Sequence, residues 1–209
     1  MTEIIAGRNP VLEALKANRP VSKILLDRDA RRHGAITEML QLARDRGIPV
    51  ERVDARAIDR HAPDIMHQGV IAYAAVKDYA SLEELLAIPK EKNEPPLFLV
   101  LDGIEDPQNL GAILRTAETT GIHGVIIRSR RAAGLTPAVA KASAGAIEYV
   151  PVARVANISQ AVETLKKQGA WVVGIDMAGA QDYTRVDFKL PIAIVIGAEG
   201  KGLSDLVRK

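Results

Sequence analysis

The sequence contains no cysteine, and its four histidines are scattered without an i, i+4 pair. The absence of cysteine excludes disulfides, thiolate metal ligands and cysteine nucleophiles, and the histidine spacing matches no zinc or iron motif. A G-x-S-x-G nucleophile elbow is also missing. We therefore expect neither a metal site nor acyl-transfer chemistry.

Long apolar segments are absent as well, and the N-terminus carries no apolar run of the export type. We expect a cytoplasmic protein without membrane contact. The 28 Lys and Arg nearly balance the 26 Asp and Glu, for a net charge of +2, so charge alone indicates no nucleic-acid partner. With 47% hydrophobic residues, 209 residues suffice for one large domain or two small ones.

Residues 1–76 alternate between short apolar runs and helical periodicity, a pattern typical of a small α/β domain. The predicted strands are 21–26, 48–53 and 70–76, and the predicted helices are 35–46 and 55–61. Ser81 and Glu84 have the spacing of a capping box and predict a short helix over 81–88. Residues 89–96 are charged and proline-rich, so we interpret 77–96 as a linker.

From residue 97 onward the apolar runs are those of strands buried on both faces of a parallel sheet. These runs occupy 97–101, 125–127, 171–175 and 192–196, and helical patterns occupy 109–120, 136–144 and 158–167. Residues 97–209 are therefore predicted to form a second α/β domain with a mostly parallel sheet.

Ligands of open α/β sheets bind beyond the carboxyl ends of the strands, so the loops after the apolar runs are the candidate sites. In the first loop, Asp106 is suited to cap a helix with Pro107 in its first turn, but that interpretation leaves Asn109 and Arg115 without a role. The loop over 197–203 has three glycines that allow close backbone approach to a ligand. It fits neither a P-loop nor G-x-G-x-x-G, and a tight turn with Glu199 in water remains equally open.

A third loop, over 174–179, could form a pocket wall beside the glycine-rich loop. Its Asp176 could bind a ribose hydroxyl, although a capping or solvated aspartate is the more common case. Basic residues form three groups that are either solvated faces or phosphate contacts: Arg28, Arg31 and Arg32, then Arg52, Arg56 and Arg60, then Arg128, Arg130 and Arg131. We favour Arg130 and Arg131 as phosphate contacts, because they follow a strand on the expected ligand side.

Three segments closely resemble the motifs of the SpoU-type RNA ribose 2′-O-methyltransferases, which are TrmH-like members of the SPOUT superfamily. These segments are 109–117, beginning Asn-Leu-Gly-Ala, then 141–146, and 196–203, reading Ile-Gly-Ala-Glu-Gly-Lys-Gly-Leu. The N-terminal segments Gly7 to Val11 and His67 to Val70 resemble the ribosomal-protein-like RNA-binding domain of the branch that methylates a guanosine of large-subunit ribosomal RNA.

The resemblance implies a C-terminal domain of trefoil-knot type, S-adenosyl-L-methionine as cofactor and a homodimer that completes the active site. It implies three groups of site residues. The catalytic residues would be Asn109, Arg115 and Glu199; the cofactor-binding residues Gly174, Ile175, Asp176, Ile196, Gly197, Glu199 and Gly200; and the RNA-binding residues Arg8, Asn9, His67 and Gln68, with Arg130 and Arg131.

The family's third motif, a serine- and asparagine-containing segment some tens of residues after Glu199, does not occur before Lys209. We therefore expect an incomplete knot segment, from a shortened chain or an inactive form. By resemblance, Arg115 lies nearest the ribose. Because a guanidinium normally stays charged, we expect it to grip a phosphate or stabilise the alkoxide while a phosphate or water takes the proton. Methylation of transfer RNA and a non-catalytic RNA-binding or assembly role remain alternatives.

Overall fold

A computed structural model describes residues 2–30, 34–63, 65–177, 179 and 181–208, so the predicted basic residues Arg31 and Arg32 lie outside the described residues. The first elements in chain order are β1 (Thr2–Ala6), α1 (Arg8–Lys16), β2 (Val21–Asp27), α2 (Ala35–Asp45), β3 (Val50–Val53), α3 (Ala55–His61) and β4 (Val70–Ala75). They are followed by α4 (Leu82–Lys92), β5 (Leu97–Asp102), α5 (Pro107–Thr119), β6 (Gly124–Arg128), α6 (Pro137–Ala142), β7 (Val152–Val155), α7 (Ile158–Lys167), β8 (Trp171–Ile175), β9 (Ile192–Gly197) and α8 (Asp205–Arg208). Short 3₁₀ turns occupy Ala146–Glu148 and Tyr183–Arg185.

The chain forms two compact units, and the first of them is discontinuous in sequence. Unit 1 comprises Met1–Asp78 and Leu135–Tyr149, and unit 2 comprises Tyr79–Gly134 and Val150–Lys209. The α/β class predicted for both parts of the chain is confirmed.

Unit 1 contains a four-stranded mixed sheet in the order β1-β4-β2-β3. β4 is antiparallel to both β1 and β2, whereas β2 and β3 are parallel. Helices α1 and α2 cover one face, where Leu15, Ile24 and Met39 are fully buried, and α3 covers the other through Ile58. The predicted strands and helices of residues 21–76 are confirmed within a residue or two at their ends.

Residues 135–149 belong to unit 1, although the sequence placed them in the second domain. Helix α6 packs against β1, and the buried guanidinium of Arg19 bonds both Glu3 and Glu148, the latter at 2.7 Å. Lys77 donates to the backbone oxygen of Glu148 at 2.9 Å, and burial is the main cause that lowers the pKa of Lys77. Arg19 and Glu148 are 129 positions apart and Lys77 and Glu148 are 71 apart, which explains why local sequence patterns do not show these contacts.

Unit 2 contains a five-stranded, fully parallel sheet in the order β7-β6-β5-β9-β8. The central strand β5 is buried as its apolar sequence predicts, with Phe98 and Leu101 at 1% exposure. From β5 the chain adds β6 and β7 on one side and later adds β8 and β9 on the other. The topological switch point of the sheet therefore lies between β5 and β9.

Two strands at the sheet edges differ from the sequence-based expectation. The strand over 171–175 is confirmed, but its predicted burial is wrong, because β8 is an edge strand with Trp171 65% exposed and Ile175 44% exposed. The opposite edge strand, β7, was not predicted, since its four residues are interrupted by the exposed Arg154 and show no long apolar run.

The segment expected to be a linker, 77–96, contributes to the core of unit 2. Its helix α4 begins as predicted after Ser81 but extends beyond the predicted end at residue 88, to Lys92. The predicted capping box is confirmed, because Ser81 and Glu84 each accept a hydrogen bond from the other's backbone N–H. The helix continues through Pro89, which is buried one turn after the fully buried Leu85, and ends at Asn93 in the left-handed conformation.

Candidate functional site

A hollow of unit 2 lies at the switch point, beyond the carboxyl ends of β5 and β9. We call it the β5–β9 hollow; its volume is about 630 Å³. It is lined by the end of β5 and its loop (102–106), by Asn109, Arg128 and Arg131, and by Ala198, Glu199 and residues 201–205. This is the position at which open α/β sheets bind ligands, and the volume suits a small organic molecule.

Asn109 and Glu199, 90 positions apart in the chain, meet in this hollow. The Asp106 side chain caps α5 by accepting from the backbone N–H of Gln108 at 2.9 Å, and this cap, followed by Pro107, places Asn109 in the first turn. From there Asn109 Nδ2 donates to Glu199 Oε2 at 3.2 Å. The structure thus connects the two segments that the sequence singled out.

The glycines around Glu199 are required by the loop itself. Ala198 and Gly202 exchange backbone hydrogen bonds at 3.0 and 2.9 Å, so the loop folds back on the end of β9. A Cβ at Gly197 would lie 2.1 Å from the carbonyl carbon of Gly202, and Gly200 has a φ of +74°. Gly197 is therefore explained by close approach of the chain to itself, without a ligand.

A charge pair with a buried carboxylate supports the same hollow. Sequence analysis placed its Arg128 in a basic group that is either a solvated face or a phosphate contact, and it gave Asp102 no role. Asp102, 3% exposed, accepts from Arg128 Nη2 at 2.5 Å and from the backbone N–H of Ser204 at 2.9 Å. Asp102 ends β5 and Arg128 ends the neighbouring parallel strand β6. That adjacency was the signal available in the sequence, because strands of a parallel sheet end at the same edge.

The predicted RNA contacts Arg130 and Arg131 differ in placement. Arg131 lines the β5–β9 hollow and adopts a φ of +53°, whereas Arg130 is exposed and does not line it. Arg131, Arg128 and Lys201 give this hollow three cationic side chains, beside five carboxylates, those of Asp102, Glu105, Asp106, Glu199 and Asp205.

A second hollow of about 370 Å³ lies beside β8, and we call it the β8 hollow. The predicted cofactor residues Gly174 and Asp176 line it, together with Val172, Val195, Leu203 and Val207 among others. Asp176 accepts from Arg208 Nη2 at 2.8 Å and from the backbone N–H of Leu203 at 3.4 Å. Leu203 lines both hollows, so the two hollows adjoin at the glycine-rich loop.

The remaining predicted residues of unit 2 do not line either hollow. Ile175 is 44% exposed on the edge strand, and Ile196 is half-buried at the end of β9. Arg115 is exposed on α5, six residues after Asn109, which corresponds to a rotation of about 240° around the helix. The structure therefore does not bring Arg115 to Asn109 and Glu199 within unit 2.

In unit 1 the predicted RNA-binding residues converge. Arg8 donates through Nε to the backbone oxygen of Gln68 at 3.2 Å and through its backbone N–H to the side chain of Gln68 at 3.4 Å. His67 Nδ1 accepts from the backbone N–H of Gly69 at 3.0 Å, and its Nε2 lies 2.9 Å from Asp59 Oδ1. Asn9 is exposed next to Arg8.

Among the described residues, no group of three His, Cys, Asp or Glu side chains is arranged to hold a metal ion. Within the same residues, no helix is long and apolar enough to cross a membrane.

Comparison with known proteins adds two family matches. A sequence model of the SpoU rRNA Methylase family matches residues 96–209. A second model, described as RNA 2'-O ribose methyltransferase substrate binding, matches residues 4–80.

Curated relatives and solved structures extend these matches over nearly the whole chain. A putative TrmH family tRNA/rRNA methyltransferase, YacO of Bacillus subtilis, is 44% identical over 99% of this chain and 82% of its own length. One from Staphylococcus saprophyticus is 45% identical over the same shares. The fold is shared with the SpoU methyltransferase AviRb from Streptomyces viridochromogenes in complex with AdoMet, at a TM-score of 0.78 and 24% identity over 99% of this chain and 77% of that one. It is also shared with the AdoMet-bound rRNA methyltransferase from Sinorhizobium meliloti, at a TM-score of 0.78 and 24% identity over 100% and 75%.

Proposed function

The chain belongs to the SpoU rRNA methylase family, and on this premise we propose that it transfers a methyl group from S-adenosyl-L-methionine to a ribose 2′-hydroxyl of RNA. The observation that carries the proposal is the bond between Asn109 and Glu199 in the β5–β9 hollow. A carboxylate oriented in this way is suited to accept a hydrogen bond from an acceptor hydroxyl, and the nearby Arg128, Arg131 and Lys201 are suited to the RNA backbone.

The β8 hollow has the character that this cofactor requires. Its apolar walls, formed by Val172, Val195 and Leu203 among others, suit an adenine ring, and Asp176 offers a carboxylate to ribose hydroxyls. Asp176 is held in place by Arg208 and by the backbone of Leu203. When bound, the cofactor supplies a methyl group on a positively charged sulfur, which is already an activated donor.

The protein's task is then to orient the acceptor oxygen and to assist loss of its proton. Asn109 engages one oxygen of Glu199, and among the described residues the other oxygen has no hydrogen-bond partner. We assign that oxygen to the incoming hydroxyl, which it would orient by accepting a hydrogen bond. A neighbouring phosphate or a water molecule takes the proton.

Arg115 retains its proposed role as the cation that meets the RNA. Its exposure on α5 leaves the guanidinium free to bind a group supplied from outside the unit, by the RNA phosphate or across a homodimer. Arg128 and Arg131 are suited to bind the phosphates on either side of the target ribose.

We propose that the substrate is a guanosine of large-subunit ribosomal RNA. Support comes from the match of residues 4–80 to a substrate-binding domain and from convergence of Arg8, His67 and Gln68 in that domain. The test is incubation of the protein with methyl-labelled S-adenosylmethionine and, separately, unmodified ribosomal and transfer RNA. We expect label in ribosomal RNA. Label in transfer RNA alone would make transfer RNA the substrate instead, and label in neither RNA would favour a non-catalytic RNA-binding protein.

A further inference from the structure

One edge of the unit 1 sheet gathers residues from four separate segments. β4 begins where β1 and β2 end, because Val70 pairs with Leu26 and Ile71 pairs with Ala6. β3 is parallel to β2 and ends beside it, with Asp27 opposite Val53. We call this edge, across the ends of β1, β2 and β3 and the start of β4, the strand-end surface.

Two arginines at this surface are fixed by each other's backbone. Arg28 follows β2, and its Nε donates to the backbone oxygen of Arg52 at 3.4 Å, while Arg52 Nη1 donates to the backbone oxygen of Arg28 at 3.1 Å. Like charges repel, so two guanidiniums held side by side at a strand end favour an anion between or above them.

Helix α3 adds two more arginines to the pair formed by Arg28 and Arg52. Arg56 and Arg60 are four residues apart, so they project from one face of the helix, with Cβ atoms about 5–6 Å apart. Both are exposed, and both line a shallow hollow of about 390 Å³. Among the described residues, neither forms an ion pair, and Arg52 forms none either.

The described acidic residues at this edge, Asp27, Asp29, Asp54 and Asp59, offset part of the arginine charge. Asp59 pairs with His67, and the Asp27 side chain accepts from the backbone N–H of Asp29. Asp54 lies 3.5 Å from Arg28, but both side chains are mostly exposed, at 74% and 64%. Such a pair contributes little in water, so a phosphate can displace it.

We propose that the strand-end surface binds the phosphate backbone of RNA, with Arg28, Arg52, Arg56 and Arg60 extending the Arg8–Gln68 cluster across the sheet. This inference rests on the proposed function for the identity of the polyanion. Four adjacent strands span about 14 Å, too far for one small anion to contact both ends. Among the described residues of unit 1, no exposed Phe, Tyr or Trp lies at this edge. The surface therefore contacts the charged backbone rather than stacking bases, and it positions the RNA without specifying its sequence.

The test compares two double variants of the full chain with equal charge change. R56Q/R60Q alters the strand-end surface, and R44Q/R46Q alters two exposed arginines at the end of α2, at the opposite edge of the sheet, where β3 begins. Binding of a fluorescein-labelled RNA hairpin is followed by anisotropy at several KCl concentrations. Circular dichroism confirms that each variant is folded.

R56Q/R60Q is expected to weaken hairpin binding several-fold and to lower the slope of log K against log salt by about 1.4–1.8, for two lost phosphate contacts. R44Q/R46Q should change neither quantity, and R56K/R60K should restore most of the slope. Equal effects of the two glutamine variants, no effect of R56Q/R60Q, or wild-type binding without salt dependence would overturn the proposal. So would binding of polyglutamate as tight as that of RNA, which would indicate a cationic surface without RNA preference.

The outcome is separable from that of the proposed function. If the wild-type protein transfers methyl groups but R56Q/R60Q binds the hairpin as tightly as wild type, only the proposal for the strand-end surface fails. If R56Q/R60Q loses binding but the wild-type protein transfers no methyl groups, only the catalytic proposal fails.

Discussion

The chemistry proposed for unit 2 depends on few side chains, and they differ in how the protein holds them. Asn109 donates a hydrogen bond to Glu199, and Asp102 accepts hydrogen bonds from both Arg128 and the backbone N–H of Ser204. Among the described residues, nothing supports Arg115 in this way on the exposed face of α5. A residue of this kind gains its geometry only when the substrate or a second subunit arrives.

Arg115→Ala should therefore lower methyl transfer by about two orders of magnitude and leave the affinity for S-adenosylmethionine nearly unchanged, because the guanidinium lies outside both hollows. Single-turnover transfer and calorimetric cofactor binding measure the two effects. Arg185→Ala, at another exposed arginine outside both hollows, is the matched control. Unchanged turnover in Arg115→Ala would remove this residue from the site.

For single residues, the sequence indicated which side chains have chemical roles but not which of them are in contact. The chain predicted that Asn109 and Glu199 have chemical roles, but their contact depends on the adjacency of β5 and β9, which no local pattern encodes. Gly197 illustrates the converse case. Its apparent ligand signal is explained by the backbone of Gly202, a clash visible only once the loop is folded.

Among the secondary-structure elements, α4 shows most directly how a local sequence pattern determines where a helix begins. The backbone N–H of Ser81 donates to Glu84 at 2.6 Å, and this bond is the main cause that lowers the pKa of the Glu84 carboxyl below its usual range. A carboxyl whose pKa is lower in the folded state stabilises the fold above its unfolded pKa. That stabilisation is lost as the pH falls through the folded value.

Glu84→Ala should destabilise the protein at neutral pH, and the difference from wild type should shrink as the pH falls from the unfolded pKa through the folded pKa of Glu84. Glu83→Ala, in the same turn but outside the capping box, is the control and should show a smaller loss with little pH dependence. Ser81→Ala, which removes the other half of the box, should cost about 1 kcal/mol at neutral pH. Urea unfolding at neutral and acid pH measures these differences, and equal pH dependence of the two glutamate variants would contradict the account.

The helix also shows what sequence reasoning misses within an element. Prolines and charges over 89–96 resemble a linker, yet Pro89 is buried in line with Leu85 and the helix ends only at Asn93. Packing of one face against the core of unit 2 outweighs the local signal. The exposed edge strand β8 is the opposite case, because its apolar sequence does not reveal whether both faces of the strand are buried.

For the whole molecule, the notable feature is that unit 1 includes a segment taken from between two strands of unit 2. Arg19 is the centre of the contact, with nearly buried carboxylates of Glu3 and Glu148 on either side. Removing one partner from a buried ion pair leaves charge without compensation, and such a change costs about 3–5 kcal/mol.

Arg19→Met should lower the free energy of unfolding by about that amount and increase amide exchange over residues 146–149. Arg44→Met, at an exposed arginine of the same unit, should have little effect. Adding Glu148→Gln to Arg19→Met should recover part of the loss, because one unpaired charge is removed. Wild-type stability and exchange in Arg19→Met would show that the ion pair does not hold this segment.

Chain topology is the level at which the sequence alone is weakest. The α/β class and the parallel sheet follow from apolar runs and helical periodicity, but assignment of residues 135–149 to unit 1 follows from contacts with β1 and Arg19. A trefoil knot, which the family resemblance implies, is likewise a matter of threading, and it stays a prediction for this chain.

The central claim is that the acceptor is a ribose oxygen. The most direct measurement is digestion of RNA methylated by the purified protein to nucleosides, with mass spectrometry of the labelled product. The account predicts 2′-O-methylguanosine from ribosomal RNA, together with protection of the adjacent phosphodiester from alkaline cleavage, since a methylated 2′-oxygen cannot attack its own phosphate. Label on a base, with the neighbouring bond still cleaved by alkali, would contradict it.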